Sequence, residues 1–170
     1  MFYVLTLNFN QDTKEKIANF RKKTEYNFEP HITIGAFNDI DVDKAMKLTK
    51  DYCQNLKKFK IQLSNVGIFT WPKPVAWIGP VVTEELINLH KDLHKTLDFC
   101  DTKGLEYYLP NNWVPHCTVD SLEDTVEASA LYLMKNFKQF AAEIVALEWI
   151  SIEMENSDLK IKTLKTFELQ

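Results

Sequence analysis

Two spacings of apolar residues alternate along the chain in a fixed order. Residues 2 to 8, FYVLTLN, read as a strand of aromatic and β-branched side chains. Asp12 with Glu15 makes a capping-box start for a helix carrying Ile17 and Phe20. A short strand follows at EPHITIG, residues 29 to 35. Ala45, Thr49, Tyr52, Cys53 and Leu56 then recur at helical spacing, and residues 59 to 69 and 75 to 79 read as strands around the turn TWPKP. Past residue 80 the order begins again. Thr83 caps a helix with acidic residues in its first turn and a stripe of Leu86, Leu89, Leu93 and Leu97. The strand VPHCTVD, residues 114 to 120, comes next. Ser121 opens a helix with Val126, Ala130, Leu133 and Phe137, and strands near 143 to 153 and 159 to 167 complete the series.

Helix, strand, helix, strand, strand therefore occurs twice, and the copies share a motif. Pro30, His31 and Thr33 in the first stand where Pro115, His116 and Thr118 stand in the second. The final strands of the two halves are displaced by about the same interval as the histidines, as an internal duplication requires. Two pseudo-symmetric lobes are expected, approximately residues 1–80 and 81–170. The segment between them, TWPKPVAWIGPVVTEE, is too apolar and aromatic for a flexible linker, so the lobes should share one core within a single domain, 1–170.

Composition narrows the function. With 45% hydrophobic and 26% charged residues in 170, the chain suits one compact domain. No apolar run approaches the roughly 20 residues of a membrane span, and the first residues lack the features of a signal peptide, so a cytoplasmic monomer away from membranes is expected. Cys53, Cys100 and Cys117 form no C-x-x-C pair and read as reduced thiols. The net charge of -4, with Arg21 the only arginine, argues against an extended nucleic-acid groove and leaves a small anion or an RNA end as partner. The lysines of FRKKTE and LKKFK read as solvated helix ends. Four glycines form neither G-x-G-x-x-G nor a P-loop, which removes support for ATP-dependent chemistry. His90 and His94 share a helix face, but without the glutamate of H-E-x-x-H or a third ligand they read as a plain helix flank, with no metal and no cofactor.

The repeated motif carries the chemistry. Alternation along a strand puts His31 and Thr33 on one face and Ile32 and Ile34 on the other; Cys117 and Val119 leave His116 and Thr118 together in the same way. Side chains two positions apart are separated by roughly 7 Å, a span that a phosphate group bridges. With an unperturbed pKa near 6.5, one imidazole accepts a proton while the other donates one, giving a bell-shaped rate around neutrality. The threonine hydroxyls donate to phosphate oxygens without a charge to desolvate. Acid, base and anion donors thus come from protein alone. Phe37, Trp71, Tyr107, Tyr108 and Trp113 flank the motifs and are candidates to stack on a base, the stretch EYYLPNNWVPH above all.

PHITIGAF and NNWVPHCTV resemble the two H-x-[ST] motifs of the 2H phosphoesterase superfamily, in particular its 2'-5' RNA ligase-like branch. The order of strands and helices resembles that family across nearly the whole chain. The resemblance implies a bilobal α+β fold, with antiparallel sheets and outer helices enclosing a central cleft, His31 and His116 as catalytic residues and Thr33 and Thr118 as phosphate-binding ones. It also implies a nucleotide or short RNA end carrying a 2',3'-cyclic phosphate, or a 2'-5' linkage, as substrate. Asp120-Ser121 departs from the family pattern, and is expected to shorten the strand and set a carboxylate near the rim. The expected activity is metal-independent cyclic phosphodiester hydrolysis, with reversible ATP-independent ligation open to the same groups. The alternative is a non-catalytic module that binds phosphorylated RNA or nucleotide ends.

Overall fold

The structure, a computed structural model, describes residues 1–21, 28–100, 104–155 and 158–170. Among them are seven strands and four α-helices: β1 (Phe2–Phe9), α1 (Gln11–Ala18), β2 (His31–Phe37), α2 (Val42–Cys53), β3 (Phe59–Phe69), β4 (Val75–Pro80), α3 (Glu84–Leu97), β5 (Cys117–Asp120), α4 (Val126–Asn136), β6 (Phe140–Glu155) and β7 (Asp158–Glu168). No described helix is long and apolar enough to cross a membrane.

Side-chain caps set where the helices begin. Asp41 accepts from the Lys44 amide and Thr83 from that of Leu86. Asn10 caps α1 by accepting from the Thr13 amide, two residues ahead of the start expected at Asp12. The helical stripes enter one core: Ile17 from α1, Ala45 and Cys53 from α2, Leu86, Leu89, Leu93 and Leu97 from α3, and Val126, Ala130 and Leu133 from α4 pack on Leu5, Leu7, Ile32, Ile34, Ile78 and Leu147 of the sheet. A smaller cluster of Val4, Ala36 and Ile150 lies apart from it, with Leu105, Tyr108 and Ile152 against it.

The seven strands form one antiparallel sheet, ordered β2-β1-β6-β3-β4-β5, with β7 also on β6. β6 runs for 16 residues and serves both lobes. One edge takes β1; the other takes β3 along Phe140–Ile144 and β7 along Ala146–Glu155. Pairing therefore crosses the boundary expected near residue 80. One lobe is β2-β1-β6-β7 and the other β6-β3-β4-β5. β1 does for β2 what β4 does for β5: each motif strand docks on the strand that precedes it in the series. The motif strands lie at the two ends of this order, and the sheet curls until β2 and β5 meet.

Both motif strands carry a bulge at the same place. Thr33 pairs with Thr6 and Gly35 with Leu5, leaving Ile34 as the extra residue. Thr118 pairs with Trp77 and Asp120 with Ala76, leaving Val119 as the extra residue. A bulge reverses the alternation beyond it. Phe37 accordingly joins the main core with Tyr3, and Asp120 joins Ala76 on the helix side.

Candidate active site

His31 opens β2, and His116 immediately precedes β5. Each ring is fixed by its own backbone: His31 Nδ1 is 2.7 Å from the Glu29 carbonyl oxygen, and His116 Nδ1 is 2.7 Å from that of Val114. A carbonyl only accepts, so Nδ1 carries the hydrogen in both rings and Nε2 keeps its lone pair. Both histidines, with Thr33 and Thr118, line one hollow of about 320 Å³. A second hollow of about 370 Å³ adjoins it and shares Phe28, Tyr107, Tyr108, His116 and Thr118. Tyr108 lines the smaller hollow together with Thr33, and burial raises its pKa.

The backs of the motifs are braced reciprocally. Trp113, just ahead of the second motif, donates its indole N–H to the Thr33 carbonyl of the first at 2.9 Å. Arg21, ahead of the first motif, donates through Nη2 to the Thr118 carbonyl of the second and through Nη1 to the Phe28 carbonyl. Behind Thr33, the His94 ring bonds the Ile34 carbonyl at 3.0 Å, so the bulged residue keeps a partner. His90 bonds the Tyr108 carbonyl at 2.9 Å and stacks on Trp113, with centroids 4.1 Å apart and planes within 7°. His90 and His94 are thus buried struts of the site and not the helix flank expected from their spacing. Beneath His116 lie Phe69, edge-on at 4.8 Å, and Trp77 at 6.1 Å. Trp77 lies so close over Gly67 that a Cβ there would stand 2.2 Å from the indole, which is why that position has no side chain.

Burial sets the charge of the site. It lowers the His31 pKa to about 4, with Arg21 and His116 adding to the effect and the Glu29 carbonyl opposing it. Burial lowers His116 too, against the Val114 carbonyl. His90 is brought to about 4, and His94 is also lowered, in each case chiefly by burial. All four rings therefore favour the neutral form at neutral pH. Because these folded-state values lie below the unfolded value of about 6.5, the unfolded chain binds more protons below that pH. Stability should be full above about pH 6.5 and fall as pH drops from there toward 4, read as the urea midpoint at successive pH values; a midpoint constant between pH 7 and 5 would refute the burial argument.

Of the five sequence-selected aromatics, three line the hollows and two do not. Trp71 lines the larger hollow and is 78% exposed, free to meet a ligand, while Tyr107 and Tyr108 line both hollows. Phe37 is buried against Trp149 and His94, on the far side of the bulge, and does not line the cleft. Trp113 is buried as a brace and lines neither hollow. Asp120 is not at the rim: it is fully buried and accepts from the Leu122 amide and the Thr125 and Ser129 hydroxyls ahead of and within α4, which begins at Val126 and not at Ser121. Arg21 of FRKKTE is buried, and Lys22 and Lys23 lie outside the described residues. Phe28, Phe69, Trp77 and Lys73 were not singled out by sequence; for Phe69, Lys73 and Trp77 the aromatic density around TWPKP was the one local signal, and Phe28 stands two residues ahead of Pro30. Among the described residues, no group of three or more His, Cys, Asp or Glu is placed to hold a metal ion.

The sequence model of the 2'-5' RNA ligase superfamily matches residues 10–155. No curated protein matches the chain. Among solved structures, one described as a phosphoesterase superposes with a TM-score of 0.69 at 15% identity, over 98% of this chain and 97% of that one. A Thermus thermophilus protein superposes with a TM-score of 0.68 at 12% identity, over 99% and 98% of the two chains. E. coli LigT in complex with 3'-AMP does so with a TM-score of 0.65 at 15% identity, over 98% and 96%. At these identities the likeness is one of fold: an α+β architecture of antiparallel sheet and helices.

Proposed function

The chain belongs to the 2'-5' RNA ligase superfamily, and from that premise we propose that it hydrolyses a phosphodiester at an RNA or nucleotide end, a 2',3'-cyclic phosphate or a 2'-5' linkage, by two-histidine acid-base catalysis. The observation that carries the reading is the matched pair of Nδ1 bonds, which leaves two Nε2 atoms for proton transfer at one cleft. A module that only binds phosphate has no need of two such rings held in one tautomer. Structures of E. coli LigT with 3'-AMP, phosphate, ATP and NADP+ support a nucleotide as ligand here.

The step is symmetric in form. One Nε2 takes a proton from water as the water oxygen bonds to phosphorus; the other ring, protonated, gives its proton to the ribose oxygen as the P–O bond breaks. Thr33 and Thr118 donate hydrogen bonds to the non-bridging oxygens, where charge builds. Arg21 favours the neutral form of His31, which suits that ring to act as base, and leaves His116, which no neighbouring cation lowers, to act as acid. The bound phosphate supplies the negative charge that raises the acid ring above its value in the empty cleft. By microscopic reversibility, an RNA 5'-hydroxyl in place of water gives ligation without ATP.

Every group in this scheme is a protein side chain. Hydrolysis of a 2',3'-cyclic nucleotide should therefore keep its full rate in excess EDTA. Loss of rate restored only by a divalent cation would overturn the two-histidine mechanism.

A further inference from the structure

α4 is apolar on two sides. Val126, Ala130 and Leu133 are buried in the core, and on the outer side Leu131 and Met134 are 52% and 71% exposed, with Ala128 exposed beside them. The outer faces of α2 and α3 are polar, with Lys47 and Lys50 on one and Lys91 and Lys95 on the other. A helix that is apolar on its outer face as well marks a surface that a partner covers.

The order of residues on that face says what the partner is. It is complementary to its own reverse about Leu131, the middle residue of the helix: Ala128 stands three places before it and Met134 three after, Glu127 four before and Lys135 four after. Rise and turn per residue are constant, so a second α4 packed antiparallel across a two-fold axis at Leu131 sets Leu131 on the partner's Leu131, Ala128 on the partner's Met134 and Glu127 on the partner's Lys135. Acid at a helix start and base at its end also suit the macrodipole. That does not account for Leu131, which takes the place where either charge would find an i,i+4 partner. Among the described residues, neither Glu127 nor Lys135 enters an ion pair within the chain. The charges continue in the same sense beyond the helix, with Glu123 and Asp124 ahead of it and Lys138 after it, all exposed.

We propose that α4 is the contact face of a symmetric homodimer, in which two copies of the helix pack antiparallel with the two-fold axis at Leu131. A parallel arrangement is disfavoured, because it sets Glu127 on Glu127 and Lys135 on Lys135. A helix of 11 residues is about 16 Å long, so the area buried is at the low end for specific interfaces, and the dimer is a weak one, forming at about 10–100 µM. The monomer expected from the sequence is then the dilute form. No residue of α4 lines either hollow, so each copy keeps its own cleft.

The test is sedimentation velocity of the full chain from about 1 to 300 µM in about 50 mM salt, where surface charges are least screened. The weight-average mass of the wild type should rise with concentration toward twice that of the chain. Leu131→Glu, which sets two carboxylates against each other at the axis, should raise the dimer Kd at least about tenfold. Glu127→Lys and Lys135→Glu alone each replace two attractive contacts with two repulsive ones and should raise it at least about fivefold. An equimolar mixture of those two single variants restores opposite charges across the axis, as does the double variant in one chain, and each should return to within about twofold of the wild type. All these positions are exposed, and urea midpoints establish that each variant is folded. A wild type that stays monomeric at about 300 µM, self-association that Leu131→Glu leaves unchanged, or single charge reversals that neither the mixture nor the double variant restores would each overturn the proposal. None of these measurements depends on turnover, so the outcome is independent of the phosphodiesterase reading.

Discussion

Replacing His31 or His116 with alanine should each lower kcat on a cyclic phosphate by about a hundredfold to ten-thousandfold, the range for loss of a positioned acid or base. The double variant should fall little further than the worse single one, because the rings act in one transition state and either is idle without the other. The geometry gives each ring the same apparatus, an Nδ1 bond of 2.7 Å to a backbone carbonyl two residues earlier. The pH profile follows from burial. The proposed reaction needs one ring protonated and one neutral, so kcat/KM should be a bell between the two apparent pKa values of the coupled pair in the free protein. Both rings are lowered, His31 to about 4, which puts the summit on the acid side of 6.5 and away from the neutrality that unperturbed histidines predict. In the substrate complex, the phosphate raises the pair, so the bell in kcat should lie at higher pH than that in kcat/KM. Thr33→Val and Thr118→Val should lower turnover more mildly and keep both limbs, since a hydroxyl does not titrate in this range. If either histidine can be removed from a folded protein with under a threefold loss of turnover, the motif is structural.

Trp113→Ala should destabilise the fold by about 3–5 kcal/mol, as for other buried large aromatics. The indole is 8% exposed, stacks on His90 and donates to the Thr33 carbonyl, so its removal opens a cavity and strips a brace at once. Trp113→Phe separates the two effects. The ring stays, the N–H goes, and the carbonyl beside the reactive hydroxyl loses its donor at a cost of about 1–3 kcal/mol. Turnover should then fall about tenfold with KM little changed, since Thr33 is displaced from the geometry of the transition state. Urea midpoints and steady-state kinetics on the two variants measure this. A phenylalanine variant with wild-type kcat would show that the indole hydrogen bond does not position Thr33.

The repeated order of elements and the stripes of the four helices were legible in the sequence because they rest on local spacing, and Leu86, Leu89, Leu93 and Leu97 all enter the core as read. The alternation within each motif was legible for the same reason: Ile32 and Cys117 face the core while His31, Thr33, His116 and Thr118 face the cleft. Legibility stops at Ile34 and Val119. Counting by twos past Thr33 puts Phe37 in the cleft, and past Thr118 puts Asp120 at the rim; one inserted residue in each strand sends both to the other side. Nothing local announces such a bulge, which depends on the partner strand. The braces were hidden for a related reason. Arg21, His90, His94 and Trp113 act through backbone carbonyls remote in sequence, and a carbonyl has no residue type to recognise. The crossing of strands between lobes follows from the length of β6, which spacing alone does not set.

That long strand also governs the order in which the molecule can be assembled. β1 finds its second partner only when β6 exists, with Phe2 opposite Ile152, and β3 takes its second partner from the same strand, with Phe59 opposite Ile144. Pairings so distant along the chain close large loops before they return any stabilisation, which places folding among the slow topologies, in about milliseconds to seconds. A nascent chain that has emerged only as far as α4 holds both motif histidines, yet has an open edge on β1 and another on β3, two sites for mispairing with a neighbouring chain. The arrival of residues 140–155 closes both edges together. The two walls of the cleft are thus joined through β6, and the motif histidines are held together only once residues 140–155 have paired on both sides.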